Sequence, residues 1–488
     1  MIARILAALV ASVFAAQSVA QGLPDLGDIS SKAISEAQER TIGNRIMRDI
    51  RADPAFIDDP EVADYITGLG TRLMAGADLP RKDVTYFVLQ EEVINAFALV
   101  GGHIGIHTGL FILSENESEL AGVMAHEIAH ILQKHQARTI AGANRASWAT
   151  LAALAVAVLA SQSKSSSSGQ MTEAAATAAA AYQVQNMLDY TREHEREADR
   201  VGLTLLERAG FDPNGMAAFF ERLMRANRLN EFKGAPSYLR THPLTTERIA
   251  DMQDRTPQAV FRTGRADSSF EYRLVRARLR ALTGSPSEAL AQMRAELAEK
   301  TVVRPREQVY GLALAQRRAR DFEGAWKTLE PIRRGDSHAA FERLAAQLLA
   351  DRGRAAEALD TYRQALKSFP DSRGLAQGYV GLLVDRGMYP EALADVEERL
   401  RKFPEDYQLY ELQARAFEAT GKTLSQHRAQ AEAQYRRGNL AAAVQQLDWA
   451  VRQRGGDYYE EASAEARLRE FRALLENERE AEKALKIS

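Results

Sequence analysis

The sequence contains no cysteine among its 488 residues. Disulfide bonds and lipid attachment through a cysteine are therefore excluded, and the fold must be stabilised without them. The formal net charge of −3 is also small. A charge of this size gives no reason to expect a nucleic acid as partner, or strong electrostatic attraction to a membrane.

Apolar segments long enough to span a membrane are lacking as well. The apolar run from Trp148 to Ala160 has 13 residues, whereas a spanning helix needs about 20. A Ser-rich segment from Ser161 to Gly169 follows it. We expect a buried helical hairpin here, and the alternative is a mobile apolar flap that touches membrane or unfolded substrate. Membrane contact is expected to be peripheral at most.

The first 20 residues have the pattern of a signal peptide. Arg4 supplies a positive start, an apolar run follows from Ile5 to Ala16, and Ser18-Val19-Ala20 has the small-x-small pattern of a cleavage site. We therefore expect a cleaved signal peptide over residues 1–20 and export to a bacterial periplasm. A buried N-terminal helix is the alternative.

A candidate metal site lies in the segment His126-Glu127-Ile128-Ala129-His130, which reads H-E-x-x-H. Residues four apart lie on one face of a helix, so both imidazoles can share one metal ion, and the Glu flanks them. The pattern predicts that His126 and His130 bind zinc and that Glu127 acts as general base. Ser114 and Glu117 have capping-box spacing and predict that this helix begins at Ser114.

The third ligand is expected in the segment Glu193-His194-Glu195-Arg196-Glu197-Ala198-Asp199, which opens a helix. Glu195 has Asp199 four residues on, on the same face, where a carboxylate can accept the second ring N–H of a zinc-bound histidine. We predict Glu195 as the third ligand and Asp199 as the carboxylate that orients a zinc-bound histidine. Glu193 and Glu197 are the alternatives, and Glu197 is expected on the opposite side of the helix.

These motifs resemble those of the HtpX-like and prenyl-protein-protease group of zinc peptidases. H-E-x-x-H followed by E-x-x-A-D on a later helix is similar to that group, where the first Glu of the second motif is the third ligand. The segment Val93–Ile104 resembles its N-A-F-A-x-x-G-G strand pair, and His242-Pro243 with Arg248 resembles its H-P-x-x-x-x-R element. The matches cover roughly residues 35 to 255, and a membrane-bound member would need longer apolar spans.

Short strands are predicted at 84–89, 94–99 and 104–107. The resemblance implies that one of them is the sheet edge that holds substrate through its backbone, formed by Asn95, Ala96, Phe97 and Ala98. The alternative for Asn95 is a turn residue that starts a strand. His103 and His107 are expected to be structural, because the metal already has its ligands.

His242 lies in a loop, and the resemblance implies that it faces the zinc ion. Two roles are open at this stage. His242 can stabilise the oxyanion of the tetrahedral intermediate and act as a catalytic residue. Alternatively, it can occupy the fourth zinc position and keep the enzyme latent until substrate displaces it.

The chemistry expected of the site is hydrolysis of peptide bonds. One Zn²⁺ per chain, held by His126, His130 and Glu195, would lower the pKa of a bound water and polarise the scissile carbonyl. Glu127 would take the proton of the water and pass it to the leaving amine. No covalent intermediate is needed.

The second half of the sequence contains repeats. Gly353 with Glu357-Ala358-Leu359 recurs at an offset of 34 as Gly387 with Glu391-Ala392-Leu393. This is the tetratricopeptide period, which predicts an α-solenoid whose curved surface binds extended or helical partners. Gly284 marks an earlier copy, and Arg320 stands where the glycine of a degenerate copy would fall. Gly438 is expected to mark a later copy, separated by an insertion.

Together these patterns predict a mainly α protein. We expect a signal peptide at 1–20, an α+β zincin-like metallopeptidase domain with a small sheet at 21–262, and a tetratricopeptide α-solenoid at 263–488. A linker is expected from Thr256 to Ser268, where the sequence is polar with Pro257 and Gly264.

The function expected is that of a periplasmic zinc-dependent endopeptidase whose repeat domain recruits substrate or a partner. By resemblance, the substrates are unfolded or misassembled outer-membrane β-barrel proteins, and the partner is their assembly machinery. The alternative is a chaperone or adaptor of outer-membrane protein assembly in which the zinc site is structural or latent. An intact Glu127 argues for the enzyme, because a structural site needs no base there.

Overall fold

The computed structural model describes residues 36–81, 83–136, 138, 192–228, 237–256, 268–298, 305–453 and 456–487. The predicted signal peptide, the apolar run from Trp148 to Ala160 with the Ser-rich segment after it, and residues 257–267 of the predicted linker lie outside the described residues. These expectations, and the domain boundary at 262/263, remain predictions.

The first half combines helices with a small sheet. Its described elements are the helices α1 (Glu36–Ala52), α2 (Pro60–Met74), α3 (Thr108–Leu113), α4 (Glu117–Leu132), α5 (Arg192–Arg208), α6 (Asn214–Arg228), α7 (Ser237–Thr241) and α8 (Thr246–Arg255), and the strands β1 (Thr85–Leu89), β2 (Ala96–Leu99) and β3 (His103–His107).

The sheet has the strand order β1-β3-β2. β1 runs parallel to β3, with Thr85 opposite His103, and β2 runs antiparallel to β3, with Ala98 opposite Ile104. Within the described residues β2 pairs with β3 alone, so its other side is a sheet edge. β2 also packs against α4, which carries the H-E-x-x-H motif.

α4 begins later than predicted, at Glu117 with Asn116 as its N-cap. The Asn116 side chain accepts from the backbone N–H of Glu119, and the Glu119 carboxylate accepts from the backbone N–H of Glu115. The capping box therefore exists two residues beyond the predicted one. Ser114 is instead the C-cap of α3, and its hydroxyl donates to the Phe111 carbonyl. Asn116 can take the N-cap position of α4 because Asn and Ser favour that position equally.

α4 is a central helix, and its residues from Glu117 to Ile131 are all buried. It packs against α2, α5, α6 and β2. At Gly202 of α5 an added Cβ would lie 3.2 Å from the backbone N of His126. The absence of a side chain there lets α5 approach α4 at the first histidine of the motif.

The second half is a helical array. Its described helices are α9 (Phe270–Leu282), α10 (Pro286–Ala298), α11 (Arg306–Arg318), α12 (Phe322–Gly335), α13 (Ala339–Asp351), α14 (Ala355–Ser368), α15 (Arg373–Asp385), α16 (Tyr389–Lys402), α17 (Tyr407–Ala419), α18 (Thr423–Arg436), α19 (Leu440–Gln453) and α20 (Tyr458–Ile487). The predicted mainly α fold, with an α+β first half followed by an α-solenoid, is confirmed.

The turns within the helix pairs follow the predicted glycines. Gly284, Gly353 and Gly387 have φ between 69° and 77°, and Arg320 adopts φ 63° at the degenerate position. The sequence interpretation missed Gly421, which lies 34 residues after Gly387 and has φ 70° but lacks the Glu-Ala-Leu that follows the other copies. The insertion predicted before Gly438 is therefore wrong, since this glycine joins α18 to α19 half a period after Gly421.

Ion pairs join the two halves of the molecule. Arg278 of α9 makes a two-pronged contact with Asp59, the N-cap of α2, at 2.8 and 2.5 Å. Arg343 of α13 binds Glu61 in the first turn of α2. The repeat array therefore packs directly on the first half through the N-terminus of α2.

Within the described part of the chain, no helix combines the length and the apolar composition that crossing a membrane requires.

Candidate metal centre

Four side chains from three parts of the chain converge behind β2. His126 and His130 lie on α4, Glu195 on the first turn of α5, and His242 directly after α7. All four are buried, and one donor atom from each lies within 4.8 Å of the others. The structure thus brings together the three ligands predicted from the sequence, with His242 beside them.

Several of the donor atoms lie between 3.0 and 3.5 Å from one another. The Nε2 atoms of His126 and His130 are 3.0 Å apart, and the carboxylate of Glu195 lies 3.4 and 3.5 Å from them. Nδ1 of His242 lies 3.4 Å from Nε2 of His126 and 3.1 Å from Oε1 of Glu195.

These distances fit a tetrahedral metal ion. Nitrogen and oxygen donors at about 2.1 Å from a tetrahedral ion lie about 3.4 Å from one another. Three imidazole nitrogens and one carboxylate oxygen are also a donor set that borderline-soft divalent ions prefer. The residues present therefore fit a metal ion held by His126, His130, Glu195 and His242.

The electrostatics of the donors favour a cation. Burial opposes protonation of His126, but the carboxylates of Asp199 and Glu195 outweigh it and raise the pKa of His126 to about 9. Burial alone would raise the pKa of Glu195, but His242 and His126 hold it well below its usual range. Glu195 therefore carries a negative charge in the interior, which stabilises positive charge beside it.

Glu127 lies on α4 next to the donors and is fully buried. Nε2 of His242 lies 3.5 Å from Oε1, and the backbone of Ala98 on β2 lies close enough to the carboxylate to act on its pKa. Burial raises the pKa of Glu127 above its usual value. A carboxylate whose basicity is increased in this way is suited to accept a proton from water.

A second layer of contacts holds His126 and Glu195 in place. Asp199 lies 3.0 Å from Nδ1 of His126, on the side of the ring away from the cluster. Arg248 binds both oxygens of Asp199 at 2.7 and 2.8 Å, approaches Glu195 at 2.8 Å and donates to the carbonyl of Pro243. One guanidinium thus connects α5 with the loop that carries His242.

His130 has a different partner, which the sequence interpretation missed. Nδ1 of His135 lies 2.8 Å from Nδ1 of His130, and Nε2 of His135 lies 3.0 Å from Oε2 of Glu197. Burial lowers the pKa of His135 to about 4. Glu197 was expected on the far side of its helix, and it indeed points away from the donors, but towards His135.

The predicted substrate edge lies beside this cluster. The carbonyl of Asn95 accepts from the backbone N–H of His107, so the backbone groups of Ala96 and Ala98, which alternate with it, face the open side of β2. The side chain of Gln136 donates to the carbonyl of Ala98. Asn95 is buried at the start of the strand, and Phe97 packs on Phe87 in the core.

His103 and His107 lie on β3, outside the donor cluster found within the described residues. Both are buried, and burial lowers the pKa of each to about 4. Sequence patterns gave no indication of Tyr238, whose ring stacks on that of His242 with centroids 4.6 Å apart. Its hydroxyl is buried and makes no hydrogen bond to a described residue.

The chain is similar to known proteins over most of its length. Residues 60–256 match peptidase family M48. A β-barrel assembly-enhancing protease of Escherichia coli strain K12 is 32% identical over 484 residues, which cover 96% of this chain and 97% of the relative. That of Yersinia pestis is 33% identical over 64% of this chain and 62% of the relative. The mitochondrial metalloendopeptidase OMA1 of Schizosaccharomyces pombe is 28% identical over 42% of this chain and 57% of the relative.

Proposed function

The chain belongs to peptidase family M48 and is a metallopeptidase, and on that premise we propose that it is a periplasmic zinc-dependent endopeptidase that acts in the assembly and quality control of outer-membrane β-barrel proteins. The observation that carries the proposal is the buried cluster of His126, His130 and Glu195 with Glu127 beside it. Zinc is the proposed ion because the donors are nitrogen and oxygen atoms at tetrahedral spacing.

Each residue of the metal centre has a proposed role. His126, His130 and Glu195 would hold the ion, which when bound supplies a Lewis acid that polarises the scissile carbonyl and lowers the pKa of water. Glu127 accepts a proton from the attacking water and returns it to the leaving amine. Arg248 and Asp199 keep Glu195 and His126 in their orientations through the contacts described above.

His242 is proposed to hold the site in a latent state. Its Nδ1 lies 3.4 Å from Nε2 of His126 and 3.1 Å from Oε1 of Glu195, distances that fit donors to one metal ion. The cluster already has three other donor side chains. A fourth protein ligand would occupy the position that water needs in a catalytic site. We therefore favour the blocking role over stabilisation of the oxyanion, and activation would require His242 to leave the cluster.

Substrate is proposed to bind as an added strand along β2. The backbone groups of Ala96 and Ala98 face this edge, and an extended chain that displaces the Gln136 side chain from the Ala98 carbonyl would bring a peptide bond to the metal centre. Main-chain hydrogen bonds select an extended conformation rather than a particular sequence. Such recognition suits unfolded or misassembled proteins as substrates.

The repeat array is proposed to recruit the substrate or the assembly machinery. A cavity of about 870 Å³ lies between the first half and the repeats, lined on one side by Asp64 and Arg72 and on the other by Arg373 and Tyr407. Binding to the same chain raises the effective concentration of the substrate at the metal centre. The relatives named for β-barrel assembly and the signal-peptide pattern of residues 1–20 support the proposed location and substrates.

The proposal is tested by Glu127→Gln in the wild-type chain and in a His242→Ala background. In the His242→Ala background, Glu127→Gln removes the base and is expected to lower casein cleavage at least about 100-fold. The zinc content should stay unchanged. The exposed Glu193→Gln is the matched control and should retain cleavage. Cleavage that survives Glu127→Gln would favour a chaperone or adaptor with a structural metal site.

A further inference from the structure

His135 is a fully buried histidine close to the metal centre that no sequence motif explains. One edge of its ring meets His130, with the two Nδ1 atoms 2.8 Å apart, and the opposite edge meets Glu197, with 3.0 Å between Nε2 and Oε2. The face of its ring stacks on His194, with centroids 4.4 Å apart and an angle of 15° between the planes. The ring is therefore held on two edges and one face.

The proton positions in the series His130, His135 and Glu197 follow from the order of these three groups. If Nε2 of His130 gives its lone pair to a cation, the proton of the neutral ring lies on Nδ1. Nδ1 of His135 must then accept that proton, so the proton of His135 lies on Nε2. Glu197 is a carboxylate and accepts there, which makes the arrangement consistent from one end to the other.

We propose that His135, held by Glu197, is a positioning residue of the metal centre that accepts the Nδ1–H of His130 and keeps Nε2 of that ring directed at the ion. The proposal rests on the proposed role of His130 as a ligand. It assigns to His130 a support equivalent to the one that Asp199 gives to His126 at 3.0 Å. Helix α5 then supplies Glu195 to the cluster, Asp199 as the support of His126 and Glu197 as the support of His135.

Two substitutions separate the roles of the two ring nitrogens. In His135→Asn the side-chain oxygen can take the place of Nδ1, so an acceptor for His130 is kept and the contact with Glu197 is lost. In His135→Gln the amide reaches the place of Nε2, so the contact with Glu197 is kept and the acceptor for His130 is lost. Both replacements are polar, smaller than His and similar to each other in their cost to folding.

The readout is the dissociation constant for Zn²⁺, measured by competition with a fluorescent chelator, with no measurement of cleavage. His135→Gln is expected to bind Zn²⁺ about 10- to 100-fold more weakly than the wild type. His135→Asn should retain most of the affinity. Thermal midpoints of the metal-free proteins report separately on folding.

Two further variants complete the design. His427→Leu removes a distant histidine that also makes a ring hydrogen bond, to Gln446 at 2.8 Å, and should bind Zn²⁺ as the wild type does. His130→Ala should lose Zn²⁺ binding. If His130→Ala binds as tightly as the wild type, the proposed ligand set is wrong, whereas normal binding by both His135 variants overturns only the positioning role.

The relative Zn²⁺ affinities of the two His135 variants test the positioning role of His135. Weak binding by His135→Gln together with near wild-type binding by His135→Asn supports the proposal. Equal losses in both variants, with metal-free midpoints unchanged, would show that the acceptor at Nδ1 is not what matters and would overturn it. An Asn variant that binds more weakly than the Gln variant would also overturn it.

Discussion

His242 is the residue on which control of the metal centre depends in this account. Its Nδ1 is 3.1 Å from Glu195 and its Nε2 is 3.5 Å from Glu127, so one ring touches both a proposed ligand and the proposed base. Tyr238 stacks on a face of the ring and lies one helical turn earlier in α7. A change in α7 would therefore move the blocking group and its support together.

His242→Ala is expected to increase casein cleavage several-fold while the protein keeps its zinc. The reason is that three protein ligands remain and the fourth position becomes open to water, as catalytic zinc sites require. Initial rates at equal protein and zinc concentrations give the measurement. Lower cleavage would assign His242 to the oxyanion of the transition state, and an unchanged rate would exclude both roles.

Among the elements, the end of α4 determines which residues reach the metal centre. α4 ends at Leu132, and Lys134 then adopts φ 50°, in the left-handed region. In a continuous helix, position 135 would lie about 140° around the axis from His130. The left-handed residue reverses the chain, so that His135 faces His130 instead.

Substitutions of Lys134 test this turn. Lys134→Gly is expected to leave the free energy of unfolding unchanged or raise it by up to about 1 kcal/mol, because glycine adopts positive φ without strain. Lys134→Val should lower it by about 1–2 kcal/mol, since a β-branched residue is strained there. Urea unfolding of the zinc-bound proteins gives both values.

Lys134→Ala is the control for the contact with Glu36, an exposed ion pair at 3.6 Å that contributes less than about 1 kcal/mol. Equal stability of the Gly and Val variants would mean that the left-handed turn is not needed. It would also remove the structural reason for the position of His135.

The elements that the sequence could predict are those whose residues repeat at a fixed spacing. His126 and His130 are four apart, Glu195 and Asp199 are four apart, and the repeat glycines are 34 apart, so spacing alone places them. The N-cap was misplaced because Ser114 and Asn116 have equal propensity for that position, and the difference lies in their contacts, Ser114 with the Phe111 carbonyl and Asn116 with the Glu119 N–H. His135 was missed because its approach depends on one left-handed residue, and lysine carries no signal for that conformation.

In the whole molecule, the contact between the two halves holds the repeats against the N-terminus of α2. Asp59, Glu61, Arg278 and Arg343 form a largely buried group of four charges at this contact. Arg278 and Asp59 are 219 residues apart in sequence. Sequence periodicity could predict each half but not this pairing, because nothing local to either segment specifies the other.

Arg278→Ala is expected to lower the free energy of unfolding by about 3 kcal/mol, because it leaves Asp59 in a low-dielectric interface without its main partner. The matched control is Arg334→Ala, which removes an exposed pair with Glu330 and should cost less than about 0.5 kcal/mol. Urea unfolding followed by circular dichroism measures both. Equal midpoints for the two variants would show that the contact between the halves contributes little.

The proposed metal centre is one ion held by two histidines of α4 and one glutamate of α5. Its most direct test is the zinc content of purified protein after dialysis against a chelator, measured by mass spectrometry for the wild type, Glu195→Ala and the exposed control Glu193→Ala. We predict about one zinc per chain in the wild type and in Glu193→Ala, and loss of the metal from Glu195→Ala. Zinc retained by Glu195→Ala at the level of the control would contradict the proposed centre.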